Sequence, residues 1–449
     1  MKTIDKLLLG SLVLGTLNSC GEEKNIQNNR KPNVIIIYTD DQGTVDLNSF
    51  GATDLVTPNM DKIVQSGIKF TQFYGAPVSS PSRAGLLIGK TPQRAGVPGN
   101  VSPLSLEAGM PDEQYIMAEM FKDAGYKTAH IGKWHLGHAK DKQPNAQGFD
   151  YSFGHFVGCI DNYSHFFYWQ GPNRHDLYRN GEEVFYDGQF FPDLMVKETN
   201  QFIEKNKNNP FFIFFALNTP HYPYQGTTEW LKYYQKNGVA YPRDLYAAFL
   251  STQDDKIGEL LGKLEELGLL DNTIIIFQSD NGYSTEERAH FGGGSAGIYR
   301  GAKFSLFEGG IRVPAAISWP SVIKSGQVRD QMAVNADWMP TLADLCGIDL
   351  DTAELDGRSL VPVIRDENAE SQHINGYCWK SNRHWAARKG DWKLLGNPRI
   401  EHEEFAPADS FFLVNLKNDP GEMNNLAEEN PEKVKELINL YEKWLERNQ

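Results

Sequence analysis

The sequence predicts an α/β fold: a large, mostly parallel mixed sheet sandwiched by helices, with a smaller C-terminal α+β subdomain that carries an antiparallel sheet. Three observations predict it. Residues 34–38, 211–215 and 273–277 are continuous apolar runs, Val-Ile-Ile-Ile-Tyr, Phe-Phe-Ile-Phe-Phe and Thr-Ile-Ile-Ile-Phe. None alternates with polar residues, and a strand without a polar face is one covered on both sides. Segments of helical period separate these runs, which is the alternation of a parallel sheet with crossover helices. After about residue 360 the pattern changes to short strands joined by tight turns.

Taken in order, the run at 34–38 ends in Thr39-Asp40-Asp41-Gln42-Gly43. Thr57-Pro58 opens a helix that Gly67 closes, with proline at the first helical position and glycine past the last. Residues 70–73 read as a short strand feeding Ser79-Ser80-Pro81-Ser82-Arg83, a Ser-rich turn ahead of a run, 84–90, able to open a helix. Residues 112–124 read as a helix through Ile116, Met117, Met120 and Phe121, closed by Gly125. A strand over 128–131 ends in Gly132-Lys133-Trp134-His135-Leu136-Gly137. Residues 148–189 are rich in Tyr, Phe, Gly and Asn with little periodicity, and a stretch that long without clear elements usually carries function. A helix over 192–205 precedes the run at 211–215, which ends in Asn218-Thr219-Pro220-His221. A long amphipathic helix over 244–267 precedes the run at 273–277, which ends in Ser279-Asp280-Asn281-Gly282. A strand over 315–318 and a helix from Asp337 to Gly347 follow. Residues 385–389, 392–395 and 411–416 read as antiparallel strands, and Asn430-Pro431 caps a last helix with Leu437 and Tyr441 on its apolar face. The expected division is an α/β domain over 32–360 and the smaller subdomain over 361–449.

The chain has 449 residues, 40% hydrophobic, with a net charge of −14 and no long run of one sign. Phosphate binding needs clustered Lys and Arg, so nucleic acid is excluded as a partner. At the N-terminus Lys2 and Lys6 precede the apolar residues 7–17, which are too few to span a bilayer and read as a secretory signal peptide over 1–19. Leu17-Asn18-Ser19-Cys20 resembles a bacterial lipobox, so Cys20 is expected to carry a lipid. A polar tether over 20–31 would hold the protein at the outer membrane or cell surface, with the periplasm as the alternative. Cys159, Cys346 and Cys378 have no metal-like spacing; buried free thiols are expected, with room for one disulfide.

Four apolar strands thus deliver polar sets at their C-terminal ends, where open α/β sheets form their sites. The sets are Asp40 and Asp41, Lys133 and His135, His221, and Asp280 and Asn281. Adjacent carboxylates repel unless a cation lies between them. An oxygen-only ligand set without cysteine favours a hard cation, Ca²⁺ or Mg²⁺. Lys133, Lys303 and Arg83 suit a tetrahedral oxyanion, sulfate or phosphate. The residues by themselves therefore read as a metal-assisted ester hydrolase for a sulfated or phosphorylated molecule.

The chain resembles the type I, formylglycine-dependent sulfatases of the alkaline phosphatase superfamily from about Pro32 to the C-terminus. Ser79-x-Pro81-Ser82-Arg83 is similar to their maturation signature, with Ser79 where most members have Cys. Further matches are Asp40-Asp41, Gly132 to Gly137, Thr219-Pro220-His221, Ser279 to Gly282, and Gly301-x-Lys303 followed by Glu308-Gly309-Gly310. In the tail, Arg388-x-Gly390-Asp391-Trp392 and Asp419-Pro420-x-Glu422 are also similar. The resemblance implies an alkaline phosphatase-like fold and oxidation of Ser79 to formylglycine (3-oxoalanine) by a radical S-adenosylmethionine maturase. The hydrate of that aldehyde would attack sulfur with one hydroxyl and expel sulfate with the other. The resemblance also implies Ca²⁺ held by Asp40, Asp41, Asp280, Asn281 and modified Ser79. Lys133 and Lys303 would clamp the sulfate, Arg83 would stabilise the hydrate, His221 would protonate the leaving oxygen, and His135 would act as base.

A sulfated carbohydrate is the expected substrate, because a lipid tether and a polar insertion suit a surface glycan. Candidate contacts are Asp161, Asn162, His165 and Arg174 in the insertion, His290 and Arg300 near Lys303, and Asn382, Arg383 and His384 in the subdomain. Surface decoration is an equal reading for each. Two other functions stay open: a phosphomonoesterase or phosphodiesterase using Ser79 directly, and a non-catalytic glycan-binding surface lipoprotein.

Overall fold

Branched side chains without a polar break form strands, and their register sets the site. In the computed structural model, which describes residues 30–401, 403–405 and 410–448, Asn33–Thr39 lies at the centre of a ten-stranded sheet. Phe211–Ala216 and Thr273–Ser279 flank it, both parallel to it, with Ile36 opposite Phe214 on one side and Ile276 on the other. Lys127–Lys133 and Tyr151–His155 extend the parallel set beyond Phe211–Ala216. Antiparallel pairs follow on both sides, through Ala315–Ser318 and Ile68–Phe70 on one and Tyr178–Arg179 and Glu182–Glu183 on the other, and Gln327–Arg329 ends the first side parallel to Ile68–Phe70.

Alternate side chains of the central strand enter two cores, as the period of two requires. Val34, Ile36 and Tyr38 pack with the side carrying Leu86, Phe121 and Trp338. Ile35 and Ile37 pack with the side carrying Ile63, Ile203 and Leu260. The first face is covered by Ser79–Ile88, Met117–Asp123 and Trp338–Cys346, the second by Pro58–Gln65, Phe191–Asn206 and Arg243–Glu266.

The C-terminal sheet runs Tyr377–Ser381, His384–Lys389, Trp392–Gly396, Phe411–Asn415, all antiparallel. The helix Pro431–Arg447 covers one face, with Tyr441 stacked on Trp385 at 4.1 Å. The other face packs on Tyr74, Phe307, Ile311 and Val334.

Several elements differ from the sequence expectation. The strand expected at 70–73 is two, Ile68–Phe70 in the large sheet and Phe73–Tyr74 paired with Ala333–Val334, because Thr71 and Gln72 bond to the separate backbone sites Arg329 and Ala333. The helix expected from 112 begins at Met117: the Glu119 carboxylate accepts from the Ile116 amide at 2.9 Å and fixes the start there. Sequence periodicity does not reveal the helix Thr228–Lys236 or the strand Tyr377–Ser381. Cys159, Cys346 and Cys378 are buried thiols, and among the described residues no disulfide joins them, so the one for which there was room does not form. The signal peptide, Cys20 and all but the last two residues of the tether lie outside the described residues.

Candidate active site

The parallel register places the polar sets on one edge. Asp40 follows the central strand, and its amide donates to Thr219 O at 3.0 Å; the Asp280 amide donates to Thr39 O at 3.0 Å. Lys133 is the last residue of its strand. Asp41 takes a left-handed conformation (φ 59°), which Asp tolerates better than most residues, and its amide donates to Asp280 Oδ1 at 3.1 Å. His135 is left-handed too, and Gly158 faces its ring: a Cβ there would lie 3.1 Å from Nε2.

Ser79 is the first residue of the helix Ser79–Ile88, with Val78 at the cap, so its hydroxyl is not spent on capping. Its Oγ lies 2.6 Å from Asp280 Oδ2 and 3.0 Å from Asp40 Oδ1, and accepts from Lys133 Nζ at 3.2 Å. Lys133 also holds Asp40 Oδ2 at 2.6 Å. Arg83, fully buried, donates to Asp280 Oδ2 at 3.2 Å and to Lys133 O at 3.0 Å. Lys303 holds Asp41 Oδ2 at 2.9 Å and lies 3.3 Å from His221 Nε2. All ten residues proposed from sequence therefore meet at one place.

Burial raises the Asp41 carboxyl to about 7, helped by the charges of Asp40 and Asp280 and opposed by Lys303. Asp280 is also raised, by burial and then Asp40. Burial works the same way on Asp40, but Lys133 and Arg83 outweigh it and hold that carboxyl below its ordinary value. Burial lowers Lys133 as well. His135 and His221 lie well below the ordinary imidazole value, through burial and then the neighbouring lysines, so both rings are neutral. His221 Nδ1 lies 2.7 Å from Tyr222 O. A carbonyl only accepts, so Nδ1 carries the hydrogen and Nε2 the lone pair.

The donor set fits a hard cation. Asn281 gives its NH₂ to Asp41 Oδ1 at 2.7 Å and to Gly282 O at 2.8 Å, which leaves Asn281 Oδ1 buried and without a partner. A divalent cation would satisfy that oxygen and relieve the repulsion of the three carboxylates. Asp40, Asp41 and His221 also bring ligand atoms within 4.8 Å of one another. The Lys303 ammonium touches both Asp41 and His221, so these two side chains face the lysine as well as any cation.

Above Ser79 opens a cavity of about 340 Å³ whose floor includes Lys133, His135, His221 and Lys303. A larger cavity of about 430 Å³, lined by Lys127, Tyr151 and Phe202, lies at the start of the Lys127–Lys133 strand, away from these groups. None of the nine substrate-contact candidates lines the cavity over Ser79. Asp161 and Asn162 bond to Gln225, His165 to Gln189 O, and Arg174 to Pro103 O. His290 bonds to the exposed Tyr241, and Arg300 stacks on Phe307, Phe405 and Phe412. Asn382, Arg383 and His384 lie at the turn between two strands of the C-terminal sheet. The residues that do line the mouth include Asn100, Trp169, Gln170, Tyr222, Glu286 and Arg288. Their signal in the sequence is only their position, in segments between the polar sets.

A cationic cavity floor with carboxylates packed behind it, and a hydroxyl between the two, defines an ester hydrolase site for a tetrahedral oxyanion. The family described as Sulfatase matches residues 32–348, and that described as N-sulphoglucosamine sulphohydrolase, C-terminal, matches 296–449. The N-acetylgalactosamine-6-O-sulfatase of Bacteroides thetaiotaomicron is 31% identical, over 98% of this chain and 99% of its own. Arylsulfatase A of Bos taurus is 32% identical, over 91% and 85%. The structure of Ps i-CgsB in complex with k-i-k-neocarrahexaose superposes with a TM-score of 0.84 at 29% identity, over 94% of each chain. The chain belongs to the sulfatase family, and its reaction class is sulfuric ester hydrolysis.

Proposed function

We propose that the protein removes sulfate esters from a sulfated carbohydrate, using Ser79 converted to formylglycine and a calcium ion. The observation that carries this reading is the position of Ser79 Oγ, on the cavity floor between two carboxylates and within 3.2 Å of the Lys133 ammonium. The carbohydrate assignment draws on the named relatives, among which a glycan sulfatase and an arylsulfatase have nearly equal identity to this chain. The aromatic mouth favours the glycan, as would the tether expected from the N-terminal sequence.

Asp40, Asp41, Asp280 and Asn281, with modified Ser79, would hold the calcium, which when bound supplies charge that lowers the pKa of the nucleophile and polarises sulfate oxygens. Lys133 and Lys303 bind and orient those oxygens, and Arg83 fixes Asp280 against the nucleophile. His221 Nε2 has no hydrogen in the neutral state. An anionic ester entering beside it raises its affinity for a proton, and the protonated ring then delivers that proton to the leaving oxygen. His135, with Nδ1 buried and unpartnered, is free to accept the proton released when the second hydroxyl collapses to the aldehyde. The proposal also includes a secretory signal over 1–19 and a lipid on Cys20, which would hold the enzyme at the outer membrane or cell surface, with the periplasm as the alternative.

Mass analysis of the Ser79 peptide from the native host, with a sulfate-release screen over defined sulfated oligosaccharides, tests this. The expected results are a peptide lighter by two hydrogens and release from at least one glycan. An unmodified Ser79 in the native host, or cleavage of aryl phosphates with no sulfate release, overturns it. The phosphoesterase reading retains one supporting observation: the unmodified Ser79 hydroxyl already lies 2.6 Å from a carboxylate able to take its proton.

A further inference from the structure

One group in the cavity wall is not explained by sulfate. The floor is cationic, yet Glu286 stands in the lining beside it, its side chain 18% exposed and its Oε2 3.4 Å from Lys303 Nζ. That same oxygen accepts from Tyr222 Oη at 3.1 Å and Ser284 Oγ at 3.1 Å. The other oxygen, Oε1, has one long contact, 3.4 Å, from Arg288 Nη2. Burial pushes the Glu286 carboxyl up, but Lys303 and the two hydroxyls outweigh it and hold it below the ordinary value, so it is charged at neutral pH. A fixed negative charge beside Lys303 weakens the field the lysine offers a sulfate. Sulfate oxygens carry no hydrogen and cannot use a spare acceptor, whereas sugar hydroxyls and amide N–H groups can. Arg288 is half exposed and lies over the Tyr222 ring at 5.4 Å, and Trp169 meets the same ring edge-on at 6.2 Å. Acceptor, donor fork and aromatic surface therefore form one continuous wall.

We propose that Glu286 and Arg288 are the sugar-recognition pair of this site. Glu286 Oε1 accepts a hydroxyl or amide hydrogen from the sugar that bears the sulfate, Arg288 donates to an oxygen of the same sugar, and Trp169 packs on its apolar face. The pair also rejects a sugar with a second anionic group facing Glu286, since like charges at that distance repel. This rests on the carbohydrate reading above.

The test uses protein made without its maturase, in calcium-containing buffer, so that nothing turns over. Binding of N-acetylgalactosamine 6-sulfate, of k-i-k-neocarrahexaose and of inorganic sulfate is measured by calorimetry. Glu286→Ala is expected to weaken the saccharide that binds by about tenfold or more, the usual worth of a hydrogen bond to a charged group, while inorganic sulfate binds as well or better. Glu286→Gln, which keeps the shape and one acceptor oxygen, falls between, and guards against a folding defect in the alanine variant. If saccharide and inorganic sulfate weaken together, Glu286 merely positions Lys303 and the proposal is overturned. Unchanged saccharide affinity overturns it as well. Should the wild type bind inorganic sulfate and neither saccharide, the pair is refuted. The functional reading falls only if matured enzyme also frees no sulfate from any carbohydrate.

Discussion

Two buried charge clusters lie on either side of the segment 301–308, and they differ in what they leave over. At the strand ends, Asp40, Asp41 and Asp280 meet Lys133, Lys303 and Arg83. Towards the C-terminal sheet, Lys393 lies 2.9 Å from both Glu308 and Glu422, while Glu308 also accepts from Tyr74 at 2.7 Å and Arg312 at 3.0 Å. Arg388 bonds to the Tyr74 hydroxyl and so joins the second cluster to the strand Phe73–Tyr74. In this second cluster Glu422 Oε1 lacks only hydrogen-bond geometry, and its ion pair to Lys393 remains. In the first, Asn281 Oδ1, Arg83 Nε and His135 Nδ1 have no partner. A buried polar atom without a partner costs free energy. A cluster closed on itself holds the chain together, and one with leftover donors and acceptors is completed from outside.

The sharpest way to break this contrast is to remove a central cation from each side. Lys393→Ala leaves two buried carboxylates facing one another and should cost about 3–5 kcal/mol in a denaturant titration, with kcat retained below the lowered melting temperature. Lys133→Met should act the other way, lowering kcat for a sulfated saccharide by about 10²–10³-fold, the scale for one lost electrostatic stabiliser. Comparable losses of both stability and activity from both variants would erase the distinction.

The next effect is smaller and depends on pH. Burial raises Asp41 from 3.8 to about 7, and Glu422 from 4.5 to about 7. A carboxyl raised in the folded state binds its proton more tightly there. Its stabilising contribution is therefore fully present below the unfolded value and is lost as pH rises towards 7. Calcium requires ionised carboxylates, so at the proposed site its binding would displace the Asp41 proton and strengthen as pH climbs through that range. Calcium at about 100 times its Kd should add about 2.7 kcal/mol at pH 8 and distinctly less at pH 5, read as melting temperature with and without chelator. Glu422 pairs with Lys393 and no metal, so its share of the pH slope should persist in the chelated and calcium-loaded protein alike. An equal calcium effect at both pH values would remove Asp41 from the ligand set.

The contrast also separates what the sequence makes legible from what it does not. Buried strands announce themselves through β-branched runs, and parallel register then brings their last residues together, which is why Asp40, Lys133 and Asp280 can be read as one site. The cavity mouth has no such code. Trp169 sits in a loop, and Glu286 and Arg288 at a single 3-10 turn, whose paths no hydrophobic period sets, and only the folded chain shows them over Ser79. Asp161, Asn162 and His165 mislead for the opposite reason: their polarity looks available, but Gln225 and Gln189 consume it. The partnership of Glu308 with Lys393 and Glu422 is equally unmarked, because it joins positions 85 and 114 residues apart through tertiary packing.

Arg300 gives the smallest effect and lies between the two clusters. Sequence position, three residues before Lys303, makes it a plausible substrate contact. In the fold its guanidinium donates to Glu422 O at 3.0 Å and Glu403 Oε2 at 2.5 Å, and lies 5.0 Å from the Phe307 ring centre and 5.3 Å from that of Phe405. Those partners belong to the side that is closed on itself, so Arg300→Met should cost about 1–2 kcal/mol of stability through a lost hydrogen bond and cation–π contact. KM for the sulfated saccharide should stay within about twofold, because uniform substrate binding is untouched. A KM rise well beyond that, at unchanged stability, would mean that the glycan extends past Glu286 to Arg300 and that the boundary between the two clusters lies on the other side of this residue.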